Sequence, residues 1–118
     1  MQGHDDVTIK YCQNNGIVYQ SYGAMRGCPF TDPKVEAIAT AHGVSTAQVC
    51  LRWVLQRGAV IASGTGANAT TAPEYTRENL AIFNFTLAPA DMATLNTMQL
   101  QDGGRAASAA QAFLQYPY

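Results

Sequence analysis

Apolar residues recur along this chain in two different patterns. Val35, Ile38 and Ala39 fall three and four positions apart, which is the spacing of one helix face. Two short runs, residues 17–22 and 59–62, are apolar and partly β-branched without that spacing, and they predict strands. The chain is therefore predicted to fold in the order helix, strand, helix pair, strand, helix, helix.

Capping residues predict where the helices begin. A side-chain oxygen just before a helix accepts a hydrogen bond from a free N–H of the first turn, and proline fits that first turn. The predicted starts are Asp5 or Asp6, Asp32 with Pro33, Ser45, Thr71 and Pro89. The stretches 45–48 and 71–74 both match the reciprocal capping-box pattern. The residues predicted to face inward are Ala47, Cys50, Leu51, Trp53, Val54 and Leu55 in the third helix, Leu80 and Phe83 in the fourth, and Met92, Leu95 and Met98 in the last.

Strands that alternate with helices imply right-handed crossovers and a parallel sheet. Two strands cannot close a barrel, which needs eight in this pattern, so strand edges and one sheet face are predicted to stay exposed. The fold class is α/β, with two parallel strands and flanking helices.

Composition narrows the class of protein. The 118 residues fit one small domain, and 47% hydrophobic content predicts a folded chain. Only 13% of residues are charged, which favours an apolar surface covered by a partner or by further chain. A net charge of −1 without any Lys or Arg run argues against nucleic-acid binding. The longest apolar run, 49–55, is interrupted by Arg52 and too short for a membrane span.

Cysteine usage and the N-terminus predict a cytoplasmic protein without a metal. Cys12, Cys28 and Cys50 are an odd, widely spaced set, which favours reduced thiols over a disulfide or a zinc site. The polar residues 1–6 do not resemble a signal peptide. His4 with the two aspartates after it lacks further ligands, so a helix cap is preferred over a metal site there.

The turn Ser63-Gly64-Thr65-Gly66 follows the second strand and precedes the helix that contains Pro73. Such a unit directs N–H groups and the positive end of a helix dipole at an anion, commonly a phosphate. Two glycines after a strand also fit an ordinary turn. Glu78 and Asn79 lie one turn inside the helix, where they either reach an adenine edge or are simply solvated.

Several stretches together resemble the C-terminal part of aldo-keto reductases, which are (β/α)8 barrels. They are residues 11–18, 32–44, 45–53, 77–80 and 83–87. The resemblance covers about residues 5 to 98 and implies the seventh and eighth strands of a barrel. Residues 1–98 are then a partial reductase domain, and residues 99–118 are a C-terminal tail that is expected to be flexible.

The resemblance implies part of an NAD(P)H-dependent enzyme that reduces small aldehydes or ketones by hydride transfer. The cofactor-binding residues it implies are Tyr22 on the nicotinamide ring, Gly23, Met25 and Gly27 at the pyrophosphate, Ser63, Gly64 and Thr65 in the phosphate-facing turn, and Glu78 and Asn79 at the adenine. NADP is the implied cofactor, with NAD as the alternative.

The chain departs from the family at cationic positions. The family usually has a Lys-Ser pair where this chain has Ser63-Gly64, and its arginine for the 2′-phosphate falls at Tyr75. Loss of these charge-assisted donors weakens the case for NADP over NAD. Arg77 is a candidate substitute.

The family's catalytic Asp, Tyr, Lys and His have no counterpart in the 118 residues, so the chain alone is expected to be inactive. The second hypothesis is therefore a non-catalytic, truncated barrel that binds a dinucleotide or a protein partner. Another phosphate-binding barrel enzyme is the third. Substrate and oligomeric state are not indicated by the sequence.

Overall fold

The computed structural model describes residues 5–65 and 68–98. The elements are α1 (Asp6–Asn14), β1 (Gln20–Tyr22), α2 (Pro33–His42), α3 (Thr46–Gln56), β2 (Val60–Ala62), α4 (Ala72–Leu80) and α5 (Pro89–Thr97). Short 3-10 turns follow β1 at Ala24–Gly27 and α4 at Ala81–Phe83. The predicted order of helices and strands is confirmed. The predicted tail, 99–118, lies outside the described residues.

Three of the predicted helix caps are confirmed by their hydrogen bonds. Asp5 accepts from the backbone N–H of Thr8 at 3.0 Å, and hydrogen bonds from Thr8 lower the pKa of Asp5. Asp32 caps α2 in the same way at 2.8 Å. At α3, the Ser45 hydroxyl accepts from the Gln48 N–H at 3.2 Å while the Gln48 amide oxygen accepts from the Ser45 N–H at 3.0 Å. Local sequence signals therefore set these helix starts.

The predicted Thr71 cap is wrong. Thr71 already has helical backbone angles, φ −96° and ψ −19°, and its side chain makes no capping hydrogen bond. Asn68 provides the hydrogen bonds before this helix instead. Its carbonyl accepts from the Ala72 N–H at 3.0 Å, and its side chain accepts from the Thr70 N–H at 2.9 Å. A turn upstream of the helix thus replaces the expected capping box.

The apolar side predicted for the fourth helix is also wrong. Leu80 and Phe83 are 68% and 65% exposed, whereas Ile82 is buried. The reason is that α4 ends at Leu80 and the chain tightens into a 3-10 turn, which has fewer residues per turn. This change of period directs Ile82 inward, and the turn packs against α3.

The two strands are parallel, as predicted, with Gln20 opposite Val60 and Tyr22 opposite Ala62. Both are shorter than the predicted 17–22 and 59–62, because pairing begins only where the Val60 N–H donates to the Tyr19 carbonyl at 2.9 Å. The apolar run 59–62 is typical of a strand buried inside a parallel sheet, but Val60 of β2 is 44% exposed. This exposure agrees with the prediction that a sheet of only two strands leaves one face and its edges uncovered.

The core forms around α3. Its Val49, Cys50 and Trp53 are buried against residues of α2 and α5. Val35 of α2 and Leu95 of α5 have no exposed side-chain surface. Most of the predicted inward residues of α3 and α5 are buried, including Trp53 as a core residue, whereas Ala47, Leu55 and Met92 are half-buried.

Cys28 and Cys50 form a disulfide with their Cα atoms 5.8 Å apart, and Cys12 is a buried free thiol. This corrects the prediction that all three cysteines are reduced. Sequence spacing did not reveal the pair, because its partners come together only when the loop after β1 folds back onto α3.

Arg57, the residue after α3, connects that helix to α1. Its guanidinium pairs with Asp6 and lies 4.7 Å from the ring centroid of Trp53. Burial lowers the pKa of Arg57. The Gln13 side chain donates to the Arg57 carbonyl at 2.8 Å. The first helix is thus attached to the core by polar contacts at the end of α3.

Gln56 fixes the segment that leads to α5. Its amide nitrogen donates to the Leu87 carbonyl at 3.1 Å, and its amide oxygen accepts from the Leu87 N–H at 2.8 Å. The side-chain amide therefore pairs with the backbone as a neighbouring strand would. Leu87 itself is buried, so these backbone groups depend on Gln56 for partners.

The substitution Gln56→Met is expected to lower the free energy of unfolding by about 2–3 kcal/mol, because it leaves two buried backbone groups of Leu87 unpaired. Urea denaturation followed by circular dichroism measures the loss. Gln20→Met, at an exposed position of β1, is the matched control and is expected to change stability by less than about 0.5 kcal/mol. Equal losses in the two variants would contradict this role for Gln56.

Candidate functional site

The strand register places two loops at one edge of the sheet. Tyr22 ends β1 directly opposite Ala62, which ends β2. Gly23 and Ser63 therefore begin their loops at the same, carboxyl-terminal edge. Parallel α/β proteins bind ligands at this edge, because its loops converge there from neighbouring strands.

Tyr22 is the most prominent side chain at this edge. Its residue surface is 81% exposed, and the guanidinium carbon of Arg26 lies 5.7 Å from the ring centroid. An aromatic ring with a cation nearby and ample exposed surface is suited to stacking on a planar group.

Gly23 turns the chain sharply after β1. Its φ of +67° is in the left-handed region, which glycine adopts without a steric penalty. Its carbonyl accepts from the Arg26 N–H at 2.9 Å. A Cβ at Gly23 would lie 3.3 Å from Cδ of Arg26. The turn thus brings Arg26 back beside Tyr22.

Met25 and Gly27 lie in the 3-10 turn Ala24–Gly27, both half-buried. The turn packs against α3, and the Cys28 N–H donates to the Met25 carbonyl at 3.2 Å. These two residues therefore line the inner side of the loop whose outer end carries Arg26.

The second loop is more open. Ser63 and Thr65 are half-buried, Gly64 is exposed, and the Ser63 hydroxyl donates to the Gly64 carbonyl at 3.4 Å. A Cβ at Gly64 would meet no atom within 4 Å. The fourth residue of the predicted turn, Gly66, lies outside the described residues.

Glu78 makes contacts that the sequence did not predict. Its carboxylate accepts from the Ser45 hydroxyl at 2.9 Å, and its carbonyl accepts from the Gln48 side chain at 3.1 Å. Both partners belong to the capping box of α3, where the positive end of the helix dipole favours a carboxylate. Asn79 is half-buried beside it. The capping box was visible in the sequence, but its contact with a residue 33 positions later was not.

The predicted site residues thus form two groups. Tyr22, Gly23 and Ser63 share the edge of the sheet, whereas Glu78 and Asn79 lie on α4, which packs against α3. Within residues 5–65 and 68–98, no three His, Cys, Asp or Glu side chains are grouped to hold a metal ion. In the same part of the chain, no helix has both the length and the apolar character needed to cross a bilayer.

Comparison with known proteins identifies the family. The family model described as "Aldo/keto reductase family" matches residues 30–99. The chain belongs to the aldo-keto reductase family. An aldo-keto reductase of Mycolicibacterium smegmatis is 44% identical over 90 residues, which cover 75% of this chain and 29% of that protein. Morphine 6-dehydrogenase of Pseudomonas putida is 43% identical over 70 residues, covering 59% and 22%.

Solved aldo-keto reductases have the same local fold. One from Brucella melitensis superposes with a TM-score of 0.69 at 25% identity, over 80% of this chain and 35% of the other. An aldo-keto reductase crystallised with NADPH superposes with a TM-score of 0.63 at 29% identity, over 74% and 29%. The chain spans less than a third of the length of these curated relatives.

Gly23→Ala is expected to lower the free energy of unfolding by about 1–2 kcal/mol, because alanine is strained in the left-handed region. Thermal and urea unfolding measure the loss. Gly64→Ala is the control in the second loop, where the backbone is not left-handed and a methyl group meets open space. A loss at Gly64 as large as that at Gly23 would show that the turn geometry is not the cause.

Proposed function

We propose that this chain is the C-terminal portion of an NAD(P)H-dependent aldo-keto reductase barrel and supplies part of its cofactor site. The proposal rests on the parallel register of β1 and β2, which brings Tyr22 and the two loops to one edge. Barrel enzymes build their sites at this edge. The remainder of the barrel, which the relatives contain, would cover the exposed side of β2.

The residues at the edge fit a dinucleotide. The exposed ring of Tyr22 offers a stacking surface for a nicotinamide, and Gly23 lets the backbone approach closely enough to face a pyrophosphate. Met25 and Gly27 complete that loop. Ser63, Gly64 and Thr65 offer hydroxyl and backbone donors from the second loop, which has open space around Gly64.

Glu78 and Asn79, the two residues that the resemblance assigns to the adenine, would have different roles. The Glu78 carboxylate is already bonded to Ser45, so it holds α4 against α3 with one oxygen. Asn79, half-buried beside it, retains an amide that suits the donor and acceptor atoms of an adenine edge.

In the complete enzyme, the bound NAD(P)H supplies a hydride to an aldehyde or ketone. The role of this chain is to bind and orient the cofactor. Tyr22 would stack on the nicotinamide ring, and the two loops would bind the phosphates through their N–H and hydroxyl groups. The carbonyl oxygen also needs a proton donor, and the family's catalytic Asp, Tyr, Lys and His have no counterpart here. The chain alone is therefore expected to bind cofactor without turnover.

A second candidate function is a non-catalytic module that binds a dinucleotide or a protein partner. The exposed apolar residues Val18, Tyr22 and Val60, which are 73%, 81% and 44% exposed, favour it. The two proposals separate when residues 1–118 are assayed both alone and joined to the front half of a related barrel. Carbonyl reduction restored by the joined form supports the reductase, and binding without restored turnover supports the module.

The cytoplasmic location and the division into residues 1–98 and 99–118 stay predictions. Separate expression of residues 1–98 tests the division. Retention of the NADPH affinity of the full chain is the expected result.

Tyr22→Leu is expected to weaken NADPH binding about tenfold, because it removes a stacking interaction worth roughly 1–1.5 kcal/mol. Titration of the full chain with NADPH, followed by cofactor fluorescence, measures the dissociation constant. Tyr11→Leu changes an exposed tyrosine of α1 and serves as the control. Unchanged affinity in the Tyr22 variant would remove this residue from the site.

Arg77→Ala tests whether an exposed arginine of α4 replaces the missing family cations. We expect NADPH affinity to fall about tenfold and NADH affinity to stay unchanged, since only NADPH carries the 2′-phosphate and a charge-assisted hydrogen bond contributes about 1.5–3 kcal/mol. Lys10→Ala, an exposed cation on α1, is the control. Equal NADPH affinity before and after the change would exclude Arg77.

A further inference from the structure

The disulfide Cys28–Cys50 joins the loop Gly23–Cys28, which is the proposed pyrophosphate-binding loop, to α3. Cys28 directly follows the turn Ala24–Gly27, and Cys50 is buried in the middle of α3. The loop that begins at Gly23 is thus fixed at one end by the paired strand β1 and at the other by a covalent bond.

Between these two ends the loop is held by non-covalent contacts. The Arg26 N–H donates to the Gly23 carbonyl, and the Cys28 N–H donates to the Met25 carbonyl. Arg26, which lies over the ring of Tyr22, is itself exposed. Opening the disulfide removes the covalent link between Cys28 and α3. The packing of the turn on α3 and the contact of Cys28 with the Thr46 carbonyl then remain as its restraints.

We propose that Cys28–Cys50 is a thiol–disulfide exchange site that sets the order of the loop Gly23–Cys28 and, through it, the affinity for the cofactor. The second half of this inference rests on the proposed function. The oxidised form holds the loop ready for a pyrophosphate, and the reduced form must order the loop on binding, which costs affinity.

A cellular dithiol is the reagent class that such a site takes. Its thiolate attacks Cys28 Sγ rather than Cys50 Sγ, since the Cys28 residue is 8% exposed and the Cys50 residue is 1% exposed. The S–S bond breaks, Cys50 leaves as a thiolate and is protonated, and a mixed disulfide remains on Cys28. The second thiol of the reagent then displaces Cys28 as a thiolate, which also takes a proton. The protein gains two electrons and two protons, and the dithiol becomes a disulfide.

The surroundings of both sulfurs suit the reduced state. Cys28 Sγ lies 3.8 Å from the Thr46 carbonyl, which is placed to accept from its thiol. Cys50 belongs to the same buried core cluster as Val49, Trp53 and Val54, where a neutral thiol packs as a small apolar group. Reduction is therefore expected to remove the covalent restraint on the loop while α3 stays folded.

The full chain, oxidised or treated with dithiothreitol, provides the test. Reduction is expected to speed hydrogen exchange at residues 23–28 and to weaken NADPH binding about three- to tenfold, with the helical circular dichroism signal retained. The variant Cys28→Ser with Cys50→Ala is expected to match the reduced chain in hydrogen exchange and in NADPH affinity. Addition of dithiothreitol is expected to change neither quantity in this variant. The serine hydroxyl would donate to the Thr46 carbonyl, and alanine keeps the core position apolar. Cys12→Ser, outside the pair, is expected to keep the full response.

Equal hydrogen exchange at residues 23–28 in both redox states would overturn the proposal, as would global unfolding on reduction. A response to dithiothreitol that persists in the double variant would also overturn it. If NADPH binds in neither state, the proposed function fails, while redox-dependent exchange in the loop still supports the switch. Binding of NADPH with the same affinity in both states overturns the link to the cofactor and leaves the proposed function standing.

Discussion

The buried side chains Val49, Cys50 and Trp53 hold α3 in the middle of the core, and the elements that carry the candidate site are fixed through this helix. Burying an apolar side chain of this size contributes about 1.5–3 kcal/mol. The helix packs against α2, β2, α4 and both 3-10 turns. A chain with such short strands is therefore organised by a helix rather than by its sheet.

Polar residues at the two ends of α3 extend this organisation. At its start, the Ser45–Gln48 capping box also binds Glu78 and so positions α4. At its end, Gln56 pairs with the backbone of Leu87, and Arg57 contacts α1. The first loop is attached to the middle of the helix by Cys28–Cys50. The geometry of the candidate site is therefore set by one helix.

Helix starts were predictable from the sequence where a cap contacts its own first turn. Asp5, Asp32 and Ser45 cap as expected, because each bond spans only two or three residues. The parallel pairing also followed from the alternation of strands and helices. The predicted Thr71 cap does not form, because a turn at Asn68 provides hydrogen bonds to the Thr70 and Ala72 N–H groups instead.

Contacts between distant residues were not predictable from spacing. The disulfide spans 22 positions and the Ser45–Glu78 bond spans 33, and neither leaves a periodic pattern in the sequence. Strand lengths failed for the same reason, since they depend on where the partner strand begins. The candidate site was therefore indicated by family resemblance and by the strand ends, whereas the contacts that hold Glu78 and the first loop required the structure.

Within residues 5–65 and 68–98, the two-stranded sheet has two unpaired edges, each only three residues long. Backbone donors and acceptors along such an edge can pair with the same segment of another molecule. Refolding of this polypeptide is consequently a competition between closure of its own core and strand addition between copies. Yield on refolding should therefore fall as the protein concentration rises.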